Sequence, residues 1–252
     1  MEHFFSIITI TFNASAVIEP TLRSIKSQTF LDYEYIVVDG ASNDDTLAKV
    51  KNSGIKNMKV ISEHDNGLYD AMNKGIKKAT GQYLIFLNAG DSFVNENVLT
   101  MYARASNDGT ADIIYGQTCL VDMSRNITGM RHLSAPRELS VDSFKHGMLV
   151  CHQAFVVKRA IAPLYDTAYR FSADYDWCIK CLKKSSSNAY VGENPVICYL
   201  TDGLTDKNHK ASLKERFKIM CLYYGTIPTI LRHLSFIPRY LKEKRRKRCA
   251  AK

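Results

Sequence analysis

The sequence predicts an α/β protein built around a parallel sheet, and three observations carry that prediction. In the first 90 residues, short apolar runs rich in β-branched residues alternate with segments of helical period. Each run ends in a small polar cluster. No G-x-G-x-x-G follows the first run and no G-x-x-x-x-G-K-[ST] occurs anywhere, which sets aside the dinucleotide-binding and P-loop versions of such a sheet.

Ser6-Ile7-Ile8-Thr9-Ile10-Thr11 reads as the first strand and closes in Phe12-Asn13. Val17, Leu22 and Ile25 follow at mostly helical spacing over Ala16–Ser27, with Pro20 tolerated in the first turn. Tyr35–Val38 is a second strand, ended by Asp39-Gly40-Ala41-Ser42. Asn43 or Asp44 is placed to cap a short helix reaching about Val50. Lys59–Ser62 is a third strand, followed by Glu63-His64-Asp65-Asn66-Gly67. A helix from Leu68 to Ala79 buries Leu68, Met72 and Ile76 and stops at Gly81. The fourth strand, Tyr83–Leu87, runs into Asn88-Ala89-Gly90-Asp91.

Alternation of this kind means parallel strands joined by right-handed crossovers, so the four C-terminal strand ends share one rim. Thr11 and Asn13, Asp39 and Ser42, Asp65 and Asn66, and Asn88 and Asp91 converge there. Open α/β sheets bind ligands at that edge. A single Asp after a strand is commonly a helix cap; four polar clusters on one rim point to a site. Asp91, just past a buried strand, suits a hard divalent cation that carries a nucleotide diphosphate.

Composition bounds the rest. A chain of 252 residues, 46% hydrophobic, buries one sizeable core or a core with a subdomain. Seven irregularly spaced cysteines do not describe a secreted disulfide scaffold and suit a reducing, cytosolic compartment. The N-terminus enters a strand-like run with no basic n-region, so no signal peptide is expected. No stretch has the length of a membrane span. Between Arg239 and Lys252, eight basic residues stand against one acid, so most of the net charge of +9 belongs to a tail. That placement argues against a nucleic-acid footprint on a domain face.

At this point four motifs carry a family resemblance. SIITITFN, YIVVDGASNDDT, SEHDNGLYDAMNKGIKKATGQY and LIFLNAGD, in that order over roughly residues 4–95, resemble the family-2 glycosyltransferases of the GT-A fold. The resemblance implies a Rossmann-like nucleotide-binding sheet with mixed acceptor-side strands. It also implies a nucleotide-sugar donor, Mg²⁺ or Mn²⁺, and inverting transfer to an acceptor hydroxyl. Carried over by position, Thr11 and Asn13 lie near the nucleoside and Asp39 accepts a hydrogen bond from the base imide. Asp65, Asn66, Asn73 and Lys74 fall near ribose, diphosphate or donor sugar, and Ser42 and Asn88 join the nucleotide-sugar contacts. Asp91 matches the metal-binding acid of a D-x-D-type motif, although Asn88 and Gly90 stand where relatives are often acidic.

The second half supplies the acceptor side. Ile113-Ile114-Tyr115 is a further strand, 122–147 reads as loops over the site, and Ala154–Val157 is strand-like. His152-Gln153 precedes that strand; inside an apolar run His152 suits a core role, and the resemblance moves the pair toward the acceptor or donor-sugar pocket. Asp174 opens a helix from Tyr175 to Lys184, where an acid is equally a cap or a base. Inverting transfer needs a base beside the attacking hydroxyl, and the family's base matches Asp174, with Asp176 the second choice. Cys178 and Cys181 lack a second pair, so no zinc or redox role is expected. His209 is an exposed loop residue or a further metal contact.

The expected layout is therefore a GT-A domain over 1–212, with 1–95 binding the nucleotide-sugar and 96–212 facing the acceptor. A C-terminal amphipathic helical segment with a basic tail follows over 213–252, apolar at Phe217, Met220, Tyr224, Ile227, Ile230, Leu231, Leu234, Phe236 and Ile237. Lys and Arg near a surface attract anionic lipid, which favours membrane contact there. The functional expectation is an inverting glycosyltransferase using a UDP-linked donor and a carbohydrate or lipid-linked acceptor in surface polysaccharide assembly. It would be cytoplasmic, peripheral at the inner face of the cell membrane. The rivals are a nucleotidyltransferase, which would want a glycine-rich basic loop absent from TFNASAVIEP, and a non-catalytic membrane-associated nucleotide-sugar-binding scaffold.

Overall fold

A computed structural model describes residues 3–201 and 209–234. Strands β1 (Phe5–Thr11), β2 (Tyr33–Asp39), β3 (Met58–Ser62) and β4 (Tyr83–Phe86) run parallel in the spatial order β3-β2-β1-β4. Every residue of β1, β2 and β4 is buried, because helices cover both faces, as a parallel sheet requires. β3, at the sheet edge, is only partly covered. Chain order reverses between β1 and β4, so the switch-point crevice opens beyond their C-terminal ends.

Helix α1 (Ile18–Lys26) buries Ile18, Leu22 and Ile25, the expected period. The short helix α2 (Thr46–Asn52) starts later than either sequence candidate for its cap allowed. Asp44 accepts from the Thr46 N–H and the Ser15 N–H, and so ties the preceding turn to the chain after β1. In α3 (Leu68–Lys78), Gly75 faces β1; a Cβ there would lie 2.6 Å from Ile8 Cγ2. The glycine buys close packing of helix on sheet.

Beyond β4 the sheet turns mixed. β8 (Phe155–Lys158) pairs antiparallel with β4, then β6 (Ile113–Val121), β9 (Asn188–Leu200) and β5 (Ser92–Phe93) follow outward. β7 (Ile127–Met130) folds back on β6 as a hairpin, within the segment expected to be loops. Three further elements had no sequence signal: the two-residue β5, β9, interrupted by Gly192 and Pro195, and helix α4 (Val98–Ala105). Helix α5 (Ala173–Lys184) lies against the core through Trp177, and α6 (His209–Tyr224) packs on it through buried Ile219 and Met220. After Gly225, residues 226–234 are helical again. No described helix is long and apolar enough to cross a membrane.

Candidate active site

The rim residues of β1 and β2 form one hydrogen-bonded unit. Asn13, with φ 46, donates its N–H to Ser42 Oγ at 2.8 Å and accepts the Asn43 N–H on Oδ1 at 3.0 Å. Ser42 donates its hydroxyl to Asp39 Oδ1 at 2.5 Å and its N–H to Oδ2 at 2.9 Å, and Ser62 Oγ adds a third donor at 2.8 Å. Asp65 approaches from the β3 end: a Cβ on Gly40 would lie 2.6 Å from its Oδ2, so only glycine permits the approach. Phe12 stands over this unit with its ring 62% exposed.

Two polar atoms of the rim have no partner. Thr11 Oγ1 and Asn88 Oδ1 are buried and make no hydrogen bond among the described residues. Thr11 ends β1 and Asn88 follows β4, so both flank the switch-point crevice. A buried polar atom left without a protein partner is open to a ligand atom or to an ordered water.

Asp91 is differently placed. Only 4% exposed, it accepts the Leu200 N–H on Oδ1 at 2.9 Å and the Gln153 side-chain amide on Oδ2 at 2.8 Å. Burial outweighs these bonds and pushes its carboxyl up to about 7. Thr21 clasps the same turn, donating to the Asp91 carbonyl at 2.6 Å and accepting the Gly90 N–H at 3.0 Å. The turn is also held by Arg125, whose own backbone is left-handed at φ 67: Nη1 donates to the Gly90 carbonyl at 2.7 Å and Nη2 to Ser92 Oγ at 2.5 Å.

Gln153 reaches Asp91, while its neighbour His152 faces the other way. His152 Nε2 lies 2.6 Å from Tyr165 Oη, and burial holds its imidazole down at about 4, so it is neutral at pH 7. Tyr165 stacks on Trp177 at 4.9 Å and on Tyr69 at 5.6 Å between centroids. Asp174, part-exposed in the first turn of α5, accepts from Tyr69 Oη at 3.1 Å and from the Tyr175 N–H at 2.9 Å, both on Oδ1. Asp176 points to α6 instead: 1% exposed, it pairs with Lys180 Nζ at 2.7 Å and accepts from Tyr223 Oη at 2.7 Å.

The sequence profile of glycosyl transferase family 2 matches residues 6–162, which hold the whole rim and the His152-Gln153 turn. The chain belongs to that family. A PGL/p-HBAD biosynthesis glycosyltransferase of Mycobacterium bovis is 36% identical over 185 residues, 70% of this chain and 69% of the relative. The amylovoran biosynthesis glycosyltransferase AmsB of Erwinia amylovora is 28% identical over 192 residues, 71% of this chain and 64% of its own length. Among solved structures, TarS of S. aureus in complex with UDP-GlcNAc shares the fold, with a TM-score of 0.71 at 19% identity over 92% of this chain and 73% of that one.

Glycosyltransferases of family 2 generally use a divalent metal. The described residues of this one build no cage of protein ligands that would hold an ion by themselves. Among them no three His, Cys, Asp or Glu side chains converge, and both Asp91 oxygens serve protein donors. His209 opens α6, but its side chain, like residues 202–208, lies outside the described residues.

Two other expected donor contacts are already engaged. Both ends of the Asn73 amide bond the Tyr165 backbone, at 3.0 and 2.7 Å. Lys74 Nζ reaches the His64 carbonyl at 2.8 Å and Glu63 at 2.9 Å. Asn66 is exposed and donates its N–H to Asp70. Phe12, Tyr69 and Arg125 were not singled out from sequence. An aromatic residue just past a strand end was a usable signal for Phe12; the other two act through partners 105 and 35 residues away.

Proposed function

We propose that the protein is an inverting glycosyltransferase that moves a sugar from a UDP-linked donor to a hydroxyl of a carbohydrate or lipid-linked acceptor in surface polysaccharide biosynthesis. One observation supports this reading most. Of Asp91, Asp174 and Asp176, only Asp174 is part-exposed with an oxygen, Oδ2, that no described donor engages.

Thr11 Oγ1 and Asn88 Oδ1 meet polar atoms of the donor, and Phe12 offers a face for the base beside Asp39. The acceptor oxygen attacks the anomeric carbon opposite the diphosphate. As that bond forms and the carbon–phosphate-oxygen bond breaks, the hydroxyl proton passes to Asp174 Oδ2 and UDP departs. Gln153 holds the Asp91 carboxylate and His152 holds the Tyr165 hydroxyl, each from the buried side. Mg²⁺ or Mn²⁺ belongs to the reading as a companion of the donor diphosphate, not as an ion caged by the described residues.

Membrane contact completes the proposal. Ile227, Ile230, Leu231 and Leu234, spaced i, i+3, i+4, i+7, are 44 to 73% exposed. They form one apolar helix face just before the basic stretch 239–252, which lies outside the described residues. Such a face suits a peripheral position on an anionic inner leaflet, where lipid-linked acceptors are presented.

The test is Asp174→Asn. UDP binding by calorimetry is expected to match the wild type. Turnover, read as UDP release from a panel of UDP-sugars over a membrane lipid extract, is expected to fall by about 10²–10⁴-fold. Wild-type turnover would remove Asp174 from the chemistry. A second reading, a membrane-associated nucleotide-sugar-binding scaffold, draws on the inward-turned Asp91. Turnover by the wild-type protein above that of a Thr11/Asp174 double variant excludes it.

A further inference from the structure

The contact that matters most beyond this reading crosses from the donor half to the base. Tyr69 lies in the first turn of α3, directly after the Asp65-Asn66-Gly67 loop, and is 105 residues from Asp174 in sequence. Its hydroxyl is 3.1 Å from Asp174 Oδ1, and the Tyr175 N–H sits on that same oxygen at 2.9 Å. Both donors therefore hold one oxygen, and no described residue engages the other. We propose that Tyr69 is a positioning residue that fixes the Asp174 carboxylate, so that Oδ2 faces the acceptor hydroxyl. This rests on Asp174 being the base.

Tyr69 is itself held through Tyr165. Its ring stacks on Tyr165, with planes 27° apart, and Tyr165 stacks on Trp177 at 15°. Trp177 lies one turn after Asp174 on α5. Asn73 lies one turn after Tyr69 on α3 and grips the Tyr165 backbone twice. Two helices and one intervening loop thus share a single rigid contact, and the Tyr69 phenol is the polar point where it meets the base. Burial, reinforced by the neighbouring Asp174 charge, raises the Tyr69 phenol well above its ordinary range. It therefore stays protonated and donates at neutral pH. The contact also joins the donor loop to the base, since the loop leads straight into α3.

Tyr69→Phe keeps the stacked ring and deletes only the hydroxyl. With the UDP-sugar that the wild type turns over, kcat is expected to fall about 10- to 100-fold, the worth of a hydrogen bond to a charged group. KM for that donor, UDP affinity by calorimetry and thermal midpoint are expected to stay at wild-type values. In an Asp174→Asn background, Tyr69→Phe is expected to add nothing, because the group it positions is gone. A Tyr69→Phe kcat within twofold of wild type, beside an inactive Asp174→Asn, would overturn the inference and leave the base standing. So would an equal fall of kcat in the Asp174→Asn background, or a fall tracking lost UDP affinity or stability. If Asp174→Asn itself turns over normally, the base assignment fails first, and that result is distinct from the others.

Discussion

Thr11 and Asn88 show how a single side chain separates stability from function. A buried hydroxyl with no partner costs free energy in the empty protein, and a ligand that supplies the partner recovers it. Thr11→Val keeps the shape and deletes the hydroxyl. Calorimetry with UDP is expected to show affinity about 3- to 10-fold weaker, while the thermal midpoint stays level or rises. Unchanged affinity would mean that Thr11 Oγ1 faces no donor atom. Asp91 is expected to behave in the opposite way. Removing its carboxylate strands the Leu200 N–H and the Gln153 amide, so Asp91→Ala loses about 1–3 kcal/mol of stability in urea unfolding before any ligand is added. Residues of this kind were half legible. The strand-end polar clusters announced Thr11, Asp39 and Asn88, but which oxygens are free and which are engaged depends on partners that no local pattern encodes.

At the scale of elements, Glu34 ties the donor half together. Fully buried on β2, it accepts from Ser6 of β1 at 2.7 Å, from Lys59 of β3 at 2.8 Å, and from Thr80 and Gly81 on the turn into β4. Burial alone would raise its carboxyl; the bonds from Lys59, Ser6 and Thr80 win and bring it to about 2, below the unfolded 4.5. The folded value is the lower one, so the stabilisation is complete above pH 4.5 and is lost as pH falls from there toward 2. It amounts to roughly 3 kcal/mol. Glu34→Gln is expected to lower the urea midpoint strongly at pH 7 and less at pH 3; an equal loss at both would refute the linkage. The strands that Glu34 joins are the ones legible in sequence, because β1 to β4 are short runs rich in apolar and β-branched residues, each closed by a polar cluster or turn. β9 escaped because Gly192 and Pro195 interrupt its run and its register with β6 shifts twice. β5 has two residues, too few for any period, and its pairing with β9 is decided at a distance.

The whole molecule presents two unlike surfaces, a polar crevice over the switch point and an apolar helix face at 227–234. Vesicles of phosphatidylcholine with phosphatidylglycerol are expected to sediment the full chain, and added salt to release part of it. Replacing Ile230 and Leu231 together with Asp is expected to abolish sedimentation while leaving UDP binding intact, since both side chains face solvent. Sedimentation at the wild-type level would show that this face is not the lipid contact. Helicity from Leu213 was readable in the sequence, though the helix starts four residues earlier at His209, and only the packing shows which apolar residues enter the core, Ile219 and Met220, and which remain outside.

That packing includes Glu215 of α6, whose two carboxylate oxygens take the N–H groups of Arg170 and Phe171 at 3.0 and 2.8 Å, while Ser212 bonds Ser172. These three residues lead directly into α5 and Asp174. The C-terminal helices are consequently not a cassette to be traded freely between relatives. A chimera that imports foreign helices must bring an acid in register with residues 170 and 171, or the approach to the proposed base is left with unpaired amides. Swapping the ends of two such enzymes to redirect them to another surface would then alter turnover as well as address, unless that one carboxylate travels with the graft.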